Sequence, residues 1–278
     1  MDAHECLRRG AIGAVGAVPG TVLAHPFDVL KIRMQTSPAT APSVALAARG
    51  VFASHGLRGF YRGLAAGVQQ KVLTRGPMFL ASEACTQLCE LTLGMQRTPA
   101  VFCGSMGSGY LTGSFAALAE WRKVLGSGET VGRWQGGGGG GGNVALLRAA
   151  SEAGQLRSVG QRVHNAGCRN AVFDVTFFGV SHLLMEQRES HGLGPGGCYA
   201  LAATSAVVSD YAVDVATKRS MAVPPQRPVA SLVGSVTALV RKDGWALFSG
   251  LTPKGFEFAT SYFVTGACSV YVLARLTG

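Results

Sequence analysis

Charge is what this sequence has least of, and acid is scarcer than base. Only 14% of its 278 residues are charged, with 15 Asp and Glu against 25 Lys and Arg, for a net charge of +10 at pH 7. The scarcity is also local: Gly10 to Phe27, Thr98 to Ala119, Gly192 to Ser209 and Phe258 to Ala274 carry no formal charge. Each run approaches the roughly 20 residues needed to cross a bilayer as a helix. Length alone allows two soluble domains, but 47% hydrophobic residues, 39 glycines and a mean hydropathy of +0.26 point to a membrane protein instead.

Other absences narrow the chemistry. The seven cysteines (Cys6, Cys85, Cys89, Cys103, Cys168, Cys198 and Cys268) are odd in number and scattered with no C-x-x-C pair, which excludes a disulfide framework or a zinc site. The +10 charge suits anionic lipid, anionic solutes or nucleic acid, but no helix-turn-helix, zinc-finger or RNA-binding pattern supports the last. Neither G-x-S-x-G nor H-E-x-x-H occurs, so no enzyme, metal or cofactor is expected. Gly192 to Gly197 fits G-x-G-x-x-G only formally: it contains Pro195, follows no strand, and reads as a loop entering a helix. No basic region precedes the first uncharged run, so any targeting signal is expected to be internal.

What is present is a repeat. The first uncharged run ends in Pro26-Phe27-Asp28-Val29-Leu30-Lys31-Ile32-Arg33-Met34-Gln35, the second in Leu118-Ala119-Glu120-Trp121-Arg122-Lys123, and the third in Ala212-Val213-Asp214-Val215-Ala216-Thr217-Lys218-Arg219. The acids lie 92 residues apart (28 to 120) and then 94 (120 to 214). A period near a hundred residues divides the chain into three units, 1–97, 98–190 and 191–278. Two weaker segments, Gly63 to Cys89 and Gln161 to Leu184, are interrupted by Lys71, Arg75, Arg169 and Asp174. Such residues are tolerated inside a bundle or beside water, where they tend to be functional. Counting them gives six helices, two per unit. Gly10, Gly13, Gly16, Gly20, Gly109 and Gly113 offer small faces for close helix contact.

The links between paired helices have their own pattern. His55-Gly56 through Tyr61-Arg62-Gly63 is echoed by Asp243-Gly244 through Ser249-Gly250, and faintly by Ala153-Gly154 through Val159-Gly160. Basic residues gather in these links, as expected for one shared membrane face. Seven consecutive glycines, Gly136 to Gly142, lengthen the middle link and read as a flexible insertion.

The motif P-x-[DE]-x-x-[KR]-x-[KR]-x-Q, met in full by Pro26 to Gln35 and followed by an aromatic-basic-Gly link at Tyr61-Arg62-Gly63, resembles the mitochondrial carrier family. The first unit is most similar to the uncoupling-protein, dicarboxylate and oxoglutarate group. The resemblance implies an all-α membrane protein with three tandem repeats of two transmembrane helices, forming a six-helix bundle of pseudo-threefold symmetry. It further implies a multi-pass monomer in the mitochondrial inner membrane that moves a small metabolite by alternating access. Cardiolipin is then expected at Tyr61, Arg62 and Gly63, where a helix N-terminus suits a phosphate. The implied matrix gate comprises Asp28, Lys31, Gln35, Glu120, Lys123 and Asp214, pairing Asp28 with Lys123 and Asp214 with Lys31, while Glu120 faces Thr217 with only Lys218 nearby.

The same resemblance places solute contacts on the even-numbered helices at Gln70, Arg169 with Asn170, and Glu257. An arginine beside an amide suits a carboxylate or keto acid, because the guanidinium fork grips both carboxylate oxygens. Glu257 could meet an amino group, so an amino acid stays open. Structural alternatives also stand: Arg169 pairing with Asp174 or Glu257, and Gln70 as an interhelical hydrogen bonder. The sequence departs from the family pattern where Leu118 and Ala212 replace proline. It departs again at the opposite gate, where Glu83 survives but Thr86, His182 and Val270 stand in for expected charges. A degenerate carrier serving as a membrane scaffold is the competing reading.

Overall fold

The computed structural model describes residues 3–37, 41–127, 143–248, 250–261 and 264. Gly136 to Gly142 and Val270 lie outside them. The described residues are overwhelmingly helical and contain no strand. In chain order the helices are α1 (Ala3–Thr36), α2 (Val44–His55), α3 (Leu64–Leu93), α4 (Arg97–Ser127), α5 (Asn143–Glu152), α6 (Leu156–Glu186), α7 (Arg188–His191), α8 (Pro195–Ser209), α9 (Tyr211–Ala222) and α10 (Leu232–Asp243). Residues 251–261 form a further helix, α11. The two charge-interrupted segments of the sequence are therefore long helices, α3 and α6.

The bundle is built around α4, which packs along both α3 and α6, while α1 lies on α3 and α8 on α6. Glycine makes the closest contacts possible. A Cβ on Gly109 would come within 2.7 Å of the Asn170 carbonyl, and one on Gly113 within 2.7 Å of the Ala166 carbonyl. Near the charged ends of α1, α4 and α9, Ile32, Trp121, Val124 and Met221 pack with Leu146 and Ala150 of α5. Val51 of α2 closes against Val29 and Met34, and Leu239 of α10 against Tyr211 and Val215.

The links fold as their glycines require. Gly56, Gly154 and Gly244 follow α2, α5 and α10 at φ of 60°, 67° and 49°, a left-handed region that side chains resist. Ser43 and Ser231 cap α2 and α10 by accepting from the N–H groups of Leu46 and Gly234 at 3.3 Å.

Polarity is arranged inside out. Asp28, Glu120, Lys123 and Asp214 are all buried, whereas Phe115, Leu111, Leu91 and Phe256 are exposed. At about 1.5 Å per residue, helices of this length exceed a hydrocarbon core of roughly 30 Å. No helix among the described residues is both long and apolar enough by itself to cross a membrane. The reason is visible in the packing: glycine, serine and inward charge dilute each span's hydropathy.

Loss of proline has two outcomes. The segment with Leu118 runs unbroken through α4, while the segment with Ala212 is interrupted two residues earlier, at Asp210 (φ −84°, ψ −7°), between α8 and α9. In α1, Pro26 is accommodated within a continuous helix.

Candidate functional site

The repeat acids converge. Asp28 on α1 receives Lys31 of its own helix at 3.0 Å and Lys123 of α4 at 3.0 Å. Glu120 on α4 is gripped by both guanidinium nitrogens of Arg169 on α6, Nη2 lying 3.0 Å from Oε2, and also pairs with Lys218 on α9. Asp214 on α9 meets Arg169 at 3.2 Å and Lys254 of α11 at 3.3 Å, and accepts from Gln35 Nε2 at 3.1 Å. One ionic network thus joins α1, α4, α6, α9 and α11.

The sequence-derived solute residues sit directly on this network. Gln70 on α3 accepts from Lys123 Nζ at 2.7 Å. Glu257 receives Lys31 at 3.2 Å and Lys71 at 2.9 Å. Arg169 Nη2 also donates to Asn170 Oδ1 at 2.5 Å. All four residues line one cavity, walled farther along the helices by Phe173, Phe258 and Met78. Every described base lining it lies against a carboxylate: Lys31, Lys71, Lys123, Arg169, Lys218 and Lys254 all have one within 3.3 Å.

One expected pairing is corrected, and the structural alternative weighed for Arg169 is replaced by another. Asp214 does not take Lys31, because Lys254 and Arg169 reach it first and Lys31 turns to Glu257 and Asp28. Arg169 pairs with neither Asp174 nor Glu257 but with Glu120 and Asp214, since the α4–α6 contact sets it beside α4. Glu120, with Thr217 opposite, gains Lys218 as anticipated and Arg169 besides.

Sequence reasoning missed Asp210 and Lys254, which pair at 2.6 Å in the cavity. The third uncharged run stops at Ser209, and that limit was itself the available signal for Asp210. Arg162 was missed as well: buried over the Trp121 ring at 4.3 Å, it donates to the carbonyls of Ser220, Val223 and Pro224 and so caps the end of α9.

At the other end, Glu83 pairs with Arg97 at 2.9 Å, across the turn from α3 to α4. Thr86 spends its hydroxyl on the Ser82 carbonyl, and His182 reaches Thr98 and Glu186, both at 3.2 Å. Tyr61, Arg62 and Gly63 precede α3. The Arg62 carbonyl accepts from Ser127 Oγ at 3.0 Å and lies 3.0 Å from His25 Nε2, and Gly63 at φ 79° sits so close to Lys123 that an added Cβ would lie 3.1 Å from its carbonyl.

With this geometry in place, comparison with known proteins shows what the chain is similar to. Residues 2–91 match the model for "Mitochondrial carrier protein". About a third of the chain, its N-terminal part, is thus similar to the mitochondrial carrier family. It is 44% identical over 52 residues to a probable mitochondrial adenine nucleotide transporter of Arabidopsis thaliana, covering 19% of this chain and 15% of the relative. It is 43% identical over 51 residues to mitochondrial glycine transporter B of Danio rerio, 18% of each protein. To mitochondrial ornithine transporter 1 of Rattus norvegicus it is 25% identical over 107 residues, 38% of this chain and 36% of the relative. The chain thus spans well under half the length of these relatives, whose named solutes differ widely. All three are named as transporters rather than enzymes.

Proposed function

We propose that the protein moves a small carboxylate-bearing metabolite, such as a carboxylate or keto acid, across the mitochondrial inner membrane by alternating access. The observation that carries this is Arg169, whose guanidinium is shared between Glu120 and Asp214 on the floor of the cavity. A solute carboxylate offers the same fork geometry as Glu120. By taking Arg169 it frees α4 and α9 from α6, so that recognition and release of the ionic network are one exchange. Asn170 orients the guanidinium, while Gln70 and Glu257 hold Lys123 and Lys31 in the same layer.

In this reading the units 1–97, 98–190 and 191–278 are the three repeats. Asp28, Lys31, Gln35, Glu120, Lys123 and Asp214 form the matrix gate. The α3 N-terminus at Tyr61, Arg62 and Gly63 takes a cardiolipin phosphate, and the protein works as a monomer. Uptake into liposomes carrying the purified protein, with dicarboxylates, keto acids, amino acids and nucleotides as solutes, tests it. Saturable uptake of a carboxylate is the expected result. Uptake of none of them by demonstrably folded protein sinks transport and supports the scaffold reading instead.

A further inference from the structure

The third repeat breaks the pattern of the other two at one pair of positions. Four residues before the repeat acids Asp28, Glu120 and Asp214 stand Ala24, Ala116 and Asp210; three residues before Gln70, Arg169 and Glu257 stand Gly67, Ala166 and Lys254. In the first two repeats these are small, buried residues suited to close helix packing. In the third they are a carboxylate and an ammonium 2.6 Å apart, each less than a tenth exposed. Lys254 also lies over the Tyr211 ring at 5.3 Å.

A buried ion pair is a poor substitute for small-residue packing, because desolvation offsets most of the attraction between the charges. Stability therefore gives little reason for the exchange. Location gives a better one: both side chains line the cavity that holds Arg169 and Glu257, and Lys254 shares Asp214 with Arg169.

We propose that Asp210 and Lys254 form a second half of the solute site and that the solute is a zwitterion bearing an ammonium beside its carboxylate. The inference rests on the reading of Arg169 as the carboxylate-binding residue. The bookkeeping of charge favours it, since every described base of the cavity already holds a carboxylate. A purely anionic solute that displaces Asp214 from Arg169 leaves Asp210 and Asp214 to share Lys254 as their one described base. A zwitterion does not. Its carboxylate takes Arg169, Asp214 keeps Lys254, and Asp210, released as Lys254 turns to Asp214, receives the ammonium. No buried charge is left alone, which matters because stranded charges are the costly ones.

The experiment compares wild type, Asp210→Asn and the double variant Asp210→Ala with Lys254→Ala in liposomes, using labelled glycine, serine, ornithine, malate and 2-oxoglutarate. The double variant recreates the small pair of the first two repeats, so its melting temperature should match wild type. The expected result is amino-acid uptake by wild type that falls at least tenfold in both variants. Wild-type uptake of malate or 2-oxoglutarate without any amino acid overturns this inference and leaves the transport reading intact. Unchanged amino-acid uptake in the double variant makes the pair structural and also overturns it. Uptake of no solute sinks both readings together. Should the double variant fail to fold, Asp210→Asn, which preserves shape and removes only charge, decides alone.

Discussion

Arg169 holds two carboxylates at once, and that division of its guanidinium distinguishes recognition from mere charge balance. Nη1 serves both Glu120 and Asp214, while Nη2 serves Glu120 and Asn170. Lysine keeps the charge at this position but cannot reproduce the planar fork. Arg169→Lys should therefore lower initial uptake by roughly tenfold, at about 1.4 kcal/mol per decade. Arg169→Ala should reduce it further. It should also lower stability modestly, because Glu120 retains Lys218 and Asp214 retains Lys254. Uptake rates and thermal melts of the detergent-solubilised variants check both. Normal transport by Arg169→Ala removes Arg169 from the site. Residue types at these positions were legible in the sequence, and so were the pairs of Asp28 with Lys123 and of Glu120 with Lys218, but the partners of Arg169 and Asp214 were not. Asp214 was expected to take Lys31 because the resemblance to the carrier family implies that each repeat acid pairs with the base on the next odd-numbered helix. Lys254, off that register, outcompetes it, and no offset within the motif foretells a cation arriving from α11.

At the scale of elements, helices were easier to foresee than their shapes. Charge-free runs and link glycines mark α1, α4 and the short helices because both follow from local backbone and bilayer physics. The interruption at Asp210 was illegible for the opposite reason, since the kink was sought at proline and occurs where none exists. Glycine shows what separates position from contact. Gly113 and Gly107 lie on the same helix, but a Cβ on Gly113 would meet Asn170 Cβ and the Ala166 carbonyl at 2.7 Å, whereas on Gly107 nothing lies within 4 Å. Overpacking a tight contact typically costs about 1–3 kcal/mol. Gly113→Ala should lower the melting temperature by several degrees, whereas Gly107→Ala should leave it unchanged or raise it slightly. Equal behaviour of the two variants contradicts the α4–α6 packing.

Across the whole molecule, the motif that recurs three times in the sequence is held unequally at its three positions. Asp28 is held by two lysines, and Glu257 by two. Removing Lys31 therefore leaves each acid with a remaining base, Lys123 for Asp28 and Lys71 for Glu257. Glu120 is different, because Arg169 and Lys218 both depend on it, and Lys218 has no other carboxylate among its described ion pairs. Breaking a buried pair by deleting one partner costs about 3–5 kcal/mol when the other is stranded, and much less when a second partner compensates. Glu120→Gln should therefore destabilise the protein by an amount near that range, and Lys31→Met by less than half as much. Denaturation of the two variants in the same detergent measures the ordering. If the three repeats instead shared the load equally, the two losses would match. In the transport cycle proposed above, the contacts around Asp28 survive single losses, while Glu120 is where one incoming carboxylate, by claiming Arg169, begins to open the network.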